Sequence, residues 1–221
     1  MLEKILEDKE IAAIINNVNN IMIVNNCGCH GMGHITRVMN YVETILKGIG
    51  ADEHTIELGK VAAYLHDIGA IMGKSGHAER SADFVNNYLT NLNISEEDKN
   101  LIVDAIRYHS NGSTTIIGAA LTFADKIDMQ KARMLRFKEN NYIHDNIKHM
   151  LNVELDVNKE AIIVNIITDG LFDYYCLKDY TKMILKPMEM SKYLNRKCLF
   201  AIDGKIIDLY NIVVEEKSYS N

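Results

Sequence analysis

Apolar residues recur at helical spacing through the first part of the chain, up to about Phe137. Ile35, Val38, Met39, Val42, Ile45, Leu46 and Ile49 follow one another at threes and fours, which predicts one face of a helix, and Gly48 and Gly50 supply its stop. Asp52 is a good N-cap for a second helix through Ile56, Leu58, Val61, Ala62 and Leu65. Gly69, Gly73 and Gly76 then break the pattern, and Ser75 is the expected cap of a third helix through Ala78, Phe84, Val85 and Leu89. Ser95 with Asp98 reads as a capping box for a fourth, through Ile102, Ala105 and Ile106. Beyond an Asn-Gly-Ser loop, residues from about Thr115 to Met129 predict a fifth, well-buried helix. Val18 to Asn26 is ambiguous.

From about Leu151 the period changes. Val153, Leu155 and Val157 alternate with Glu154, Asp156 and Asn158, and Ala161 to Thr168 is a β-rich apolar run, so a hairpin is expected. Pro187, the single proline, is expected in the first turn of a helix through Tyr193. Cys198–Ile202 and Ile206–Leu209 flank Asp203-Gly204, a hairpin-turn signal. The expected fold is mainly α: a helical domain over 1–150, carrying a small α+β unit (hairpin, helix, hairpin) over 151–221.

Composition narrows the class. The 221 residues are 48% hydrophobic and 24% charged, enough to bury a real core and unlike a disordered, collagen-like or disulfide-scaffold chain. A net charge of −6 argues against binding extended nucleic acid, while leaving room for a locally basic pocket for a phosphorylated small molecule. Four scattered cysteines make no framework. The longest stretch without Lys, Arg, Asp or Glu, Ile11 to Thr36, holds six asparagines and three glycines, so it does not read as a membrane span. The charged N-terminus lacks a signal-peptide apolar core. No membrane association and a cytoplasmic location with reduced thiols are therefore expected.

Histidines and aspartates carry the candidate chemistry: His34, the pair His66-Asp67, His77, His109 and Asp125. Imidazole with carboxylate is the ligand set of divalent Fe, Mn, Co, Ni or Zn, and Mg is a further candidate. Each residue falls near a predicted helix end or face, so five helices can aim them at one point in a bundle.

The order His…His-Asp…His…His…Asp, with His66-Asp67-Ile68-Gly69 and a later Ala124-Asp125-Lys126, resembles the HD superfamily of metal-dependent phosphohydrolases over about residues 28 to 135. That resemblance implies an HD-domain helical bundle that hydrolyses a phosphomonoester or phosphodiester, with a nucleotide-like substrate. It implies His34, His66, Asp67 and Asp125 on one metal, and His77 and His109 on a second in binuclear members. Ala70 stands where Lys often follows His-Asp-Ile-Gly, and no Gly-Tyr-Pro element follows, which disfavours the cyclic-di-GMP phosphodiesterase branch. Metal would bring bound water toward neutral pKa, and Asp67 has two oxygens with which to bridge a pair of ions; catalysis would rest on Asp67 and His66. Arg37 lies one helical turn beyond His34, and Arg80 one turn beyond His77. Lys126, Lys131 and Arg133 follow Asp125. Of these cations Arg37, Arg80, Lys126 and Arg133 are the candidates for holding phosphate.

Two alternatives share the family: a nucleotide-binding sensor without turnover, and a di-iron oxygenase. Association into a homo-oligomer is compatible with either. His144-Asp145 has no partner spacing and reads as a surface or linker pair. Cys27-Gly28-Cys29-His30 lacks a second Cys/His pair at zinc-finger distance. Gly28, Gly31 and Gly33 are expected only to release the chain into the His34 helix.

Overall fold

The computed structural model describes residues 1–92, 94–134 and 142–214. Among these residues nine helices come first: α1 (Leu2–Leu6), α2 (Lys9–Val24), α3 (Met32–Gly48), α4 (Glu53–Leu65), α5 (His77–Thr90), α6 (Glu96–Tyr108), α7 (Ile116–Ile127), α8 (Lys131–Met134) and α9 (Tyr142–Ile147). Then follow β1 (Met150–Val157), β2 (Ala161–Thr168), α10 (Thr181–Tyr193), β3 (Lys197–Ile202), β4 (Lys205–Ile207) and α11 (Leu209–Val214). Two 3₁₀ segments, Ile68–Met72 and Tyr174–Tyr180, connect α4 to α5 and β2 to α10.

Side-chain caps start the helices where an oxygen is at hand. Asp52 accepts from Thr55 N, Ser95 from Asp98 N and Thr115 from Gly118 N. Ser75 does not cap α5: Gly76 does, at φ 67°, and the Ser75 carbonyl instead accepts from Arg80. The ambiguous stretch from Val18 belongs to α2, whose Ile11, Ile15, Val18 and Met22 form a buried stripe at spacings of four, three and four. Asparagines between them obscure the stripe in the sequence.

Helix α7 lies at the centre. Ile117 to Asp125 are all buried, because α3, α4, α6 and α10 pack around it. The chain after β2 thus contributes to the same apolar core as the helices, and a continuous cluster runs from Ile5 to Leu209. β1 lies along α3, where Tyr41 donates from its hydroxyl to Val153 O at 3.1 Å.

The four strands make one sheet in sequence order. β1–β2 and β3–β4 are antiparallel, as expected of hairpins, but β2 and β3 pair parallel, with Ile162 opposite Cys198 and Val164 opposite Phe200. α10 is the crossover that a parallel pair requires. Pro187 sits inside α10 rather than in its first turn, because the helix starts earlier, at Thr181. The last strand ends at Ile207, and Leu209 opens α11 instead of extending β4. Among the described residues no helix is long and apolar enough to cross a membrane.

Candidate metal centre

Helix ends converge on one point. His34 lies in the first turn of α3, His66 caps the C-terminus of α4 with Asp67 next to it, His77 opens α5, His109 caps α6, and Asp125 is in the last turn of α7. The 3₁₀ turn after Asp67 packs directly against α5, and Gly69 makes this approach possible. A Cβ there would sit 2.4 Å from Ser81 N and 2.6 Å from His77 O. Gly69 N donates to Ser81 Oγ at 2.9 Å, which ties the turn to α5.

The ligand atoms form two groups that share Asp67. In each group the three atoms lie within 4.8 Å of one another: His34, His66 and Asp67 in one, Asp67, His77 and His109 in the other. Asp67 Oδ2 is 3.3 Å from His66 Nε2 and 3.6 Å from His34 Nε2, while its Oδ1 is 3.2 Å from His77 Nε2 and 3.8 Å from His109 Nε2. Asp125 Oδ1 joins the first group, 3.5 Å from His34 Nε2 and 3.8 Å from His66 Nε2. All six residues expected as ligands therefore face one locus.

The outward nitrogens decide what the inward ones can do. His66 Nδ1 donates to Ala63 O, His77 Nδ1 to Lys74 O and His109 Nδ1 to Ile106 O, at 2.8, 2.7 and 2.6 Å. His34 Nδ1 faces Asp128 Oδ2 at 2.6 Å. With Nδ1 carrying the proton, each Nε2 presents a lone pair. Yet His34 Nε2 and His66 Nε2 lie 3.3 Å apart, and His77 Nε2 and His109 Nε2 3.1 Å apart. Lone pairs facing one another at such distances repel unless a cation lies between them. Asp67 Oδ2, buried and without a hydrogen-bond partner among the described residues, adds an acceptor at the same place. The donor set fits divalent transition-metal ions.

The buried charges of the cluster act strongly on one another. Burial alone would raise the Asp67 carboxyl, but His66, His34 and His77 hold it well below the usual carboxylate range. Burial is likewise outweighed at Asp125 by Lys126 and Arg133. At His66, burial opposes the charged form and is overcome by Asp67, so its pKa is raised. His109 is pushed down to about 3 by burial, with His66 acting in the same direction.

The expected phosphate-binding cations divide. Lys126 Nζ is 2.6 Å from Asp125 Oδ2, and Arg133 Nη1 is 3.5 Å from Asp125 Oδ1; both line a cavity of about 710 Å³ that opens from the cluster. Arg37 and Arg80 do not line it. Arg37 is committed to Asp128, at 2.6 Å from Nε and 2.9 Å from Nη2, and Arg80 donates to the carbonyls of Gly69, Gly73 and Ser75. One helical turn put each on its histidine's side, but nearer protein acceptors hold the guanidinium.

Two residues went unassigned in the sequence. Asp128, fully buried, takes His34 and Arg37 together, and these partners hold its carboxyl far down against the effect of burial. His30 lies with its Nδ1 on Gly28 O and its Nε2 accepting from Arg133 Nη2 at 2.9 Å, 3.9 Å from Asp67 Oδ2. Of the expected surface pair, Asp145 is exposed and bonded to Lys148, and the His144 side chain lies outside the described residues.

A helical bundle that gathers His and Asp from five helix ends around paired nitrogen and carboxylate sites defines a metal-binding domain. The chain belongs to the HD domain family, whose profile matches residues 31–167, more than half of its length. Among solved structures it is similar to that of a predicted HD superfamily hydrolase from an uncultured Thermotogales bacterium, at 24% identity and TM-score 0.45, over 55% of this chain and 68% of that one. No curated protein matches the chain.

Proposed function

We propose that the protein is a metal-dependent phosphohydrolase acting on a phosphorylated, nucleotide-like small molecule, in which His34, His66, Asp67 and Asp125 would hold one divalent ion and Asp67, His77 and His109 a second. The observation that carries this reading is the division of Asp67 between the two groups, Oδ2 toward His34 and His66 and Oδ1 toward His77 and His109. Asp125 completes the first group. When bound, divalent ions would make water nucleophilic at neutral pH and neutralise phosphoryl oxygens. The chain's own part is to hold the substrate. Lys126 and Arg133 stand at the cavity wall beside Asp125, where they offer positive charge and a planar guanidinium to an anionic ester. These cations favour phosphate chemistry over a di-iron oxygenase, which needs no such lining. The complete ligand set favours turnover over a sensor. A cytoplasmic location, with four free thiols, belongs to the same reading.

Phosphate release from a panel of nucleotides tests it, with the chain loaded with Mn or Fe. The wild type should release phosphate, and Asp67→Ala should lose at least about 100-fold in rate while keeping its circular dichroism spectrum. An inactive wild type, or a fully active Asp67→Ala, overturns the proposal.

A further inference from the structure

The cavity is larger than a phosphoryl group needs. About 710 Å³ falls in the range of roughly 300–1,000 Å³ that holds whole organic ligands. Part of its wall comes from beyond the matched HD region: Tyr180, Lys182 and Met183, at the start of α10. α10 is fastened beside the centre, since Lys186 donates to Asn111 O at 2.7 Å and Met190 lies against Gly112. Lys182 is one turn before Lys186, on the same side of the helix, and lines the cavity.

The cations of this cavity are not equivalent. Arg107 is paired with Glu79 and Asp83, Lys126 with Asp125, and Arg133 with Asp125 and His30. The ammonium groups of Lys74 and Lys182 have no hydrogen-bond or ion-pair partner among the described residues, and both side chains are exposed. They come from opposite parts of the chain, Lys74 from the turn before His77 and Lys182 from α10. Met22, Met129 and Met183 also line the cavity, giving it an adaptable apolar wall.

We propose that the ligand of this pocket is a phosphate ester with two separate anionic ends: a phosphoryl group at the His/Asp centre, an apolar body against the methionines, and a second, remote anionic group held by Lys74 and Lys182. The inner end rests on the phosphohydrolase reading, while the outer end rests on the two unpaired lysines. The unit after β2 thereby has a task, which is to select substrates by their far end.

The test is equilibrium binding to the full Mn-loaded chain, by calorimetry. The probes are straight-chain α,ω-alkane bisphosphonates from propane to octane, each compared with the alkylphosphonate of the same length. Carbon–phosphorus bonds are not hydrolysed, so the readout does not depend on turnover. At one spacer length the bisphosphonate should bind at least about tenfold more tightly than its monophosphonate, and Lys74→Ala/Lys182→Ala should shrink that ratio to within about threefold. Lys74→Arg/Lys182→Arg should retain it. Absence of the preference at every length, or its survival in the double alanine variant, overturns the inference. A lysine-dependent preference in a chain that releases no phosphate from nucleotides would keep this inference and sink the hydrolase reading. Phosphate release without the preference would do the reverse.

Discussion

His34 Nδ1 lies 2.6 Å from Asp128 Oδ2, and the other oxygen of that carboxylate takes Arg37 Nε at the same distance. One buried acid thus fixes the tautomer of a candidate ligand and ties it to a cation. Hydrogen bonds of this kind around a metal ligand are worth about 10–100-fold in metal affinity. Asp128→Asn should lower affinity for Mn by that factor in competition with a chelating dye. Unchanged affinity would make Asp128 a partner of Arg37 alone.

Metal number separates the two groups. His77→Ala and His109→Gln should each take the Mn or Fe content from about two ions per chain toward about one, as expected when a two-ion site loses one half. His34→Ala should disturb the first group instead. Elemental analysis of the saturated variants decides it, and a content unaffected by either His77→Ala or His109→Gln would refute the binuclear assignment.

Acid should weaken the chelated protein before its carboxylates titrate. His30 and His109 are each held at about 3 in the folded chain, mainly by burial, against an unfolded value of 6.5. Below pH 6.5 the unfolded chain binds two protons that the folded chain refuses, so stability falls as pH drops, by up to about 1.4 kcal/mol per unit for each histidine. His66 is raised, so its contribution is fully present below 6.5 and is lost only as pH rises through its folded value. Asp67 and Asp125 are lowered, and their stabilisation is lost at more acid pH. Urea unfolding at pH 6.5, 5.5 and 4.5 should show this slope, and His109→Gln should roughly halve it. An equal slope in the variant would contradict the assignment.

Gly69→Ala places a methyl against backbone that has no rotamer to yield, at 2.4 Å from Ser81 N. A loss of about 1–3 kcal/mol is expected from such overpacking, together with weaker binding at His77, which opens the displaced helix. Gly33→Ala is the control. Its added carbon meets only Arg37 Nη1, at 3.5 Å. Thermal unfolding of both variants should show a deficit in the first alone.

The six His and Asp candidates were legible in the sequence through their order and their His-Asp-Ile-Gly and Ala-Asp-Lys contexts, which resemble the HD superfamily, and through their places near helix ends or faces. Asp128 was not: an acid after an Ala-Asp-Lys element looks solvated, and only its spacing of three from Asp125 hinted at a common side. His30 was hidden in a cysteine string that drew attention to zinc, whereas its hydrogen bond is to Arg133, about a hundred residues away. Arg80 shows the limit of the one-turn rule. The rule gives a side of a helix, but not the loop carbonyls that compete for the guanidinium. Local signal likewise marked the strands: alternation for β1, an apolar run for β2 and the Asp203-Gly204 turn for the second hairpin. It carries no information on which strand of one hairpin meets the other, so the parallel join of β2 to β3 had no signal.

That join has a consequence for how the molecule is divided. The HD match stops at residue 167, one short of the end of β2, yet β2 has its parallel partner in Lys197–Ile202 and α7 has part of its cover in α10. A chain severed at residue 167 would expose an open strand edge and the flank of its most apolar helix, the combination that drives self-association. The border of the family match is therefore not a border of the packing: the segment beyond residue 167 shares the apolar core of the helices before it.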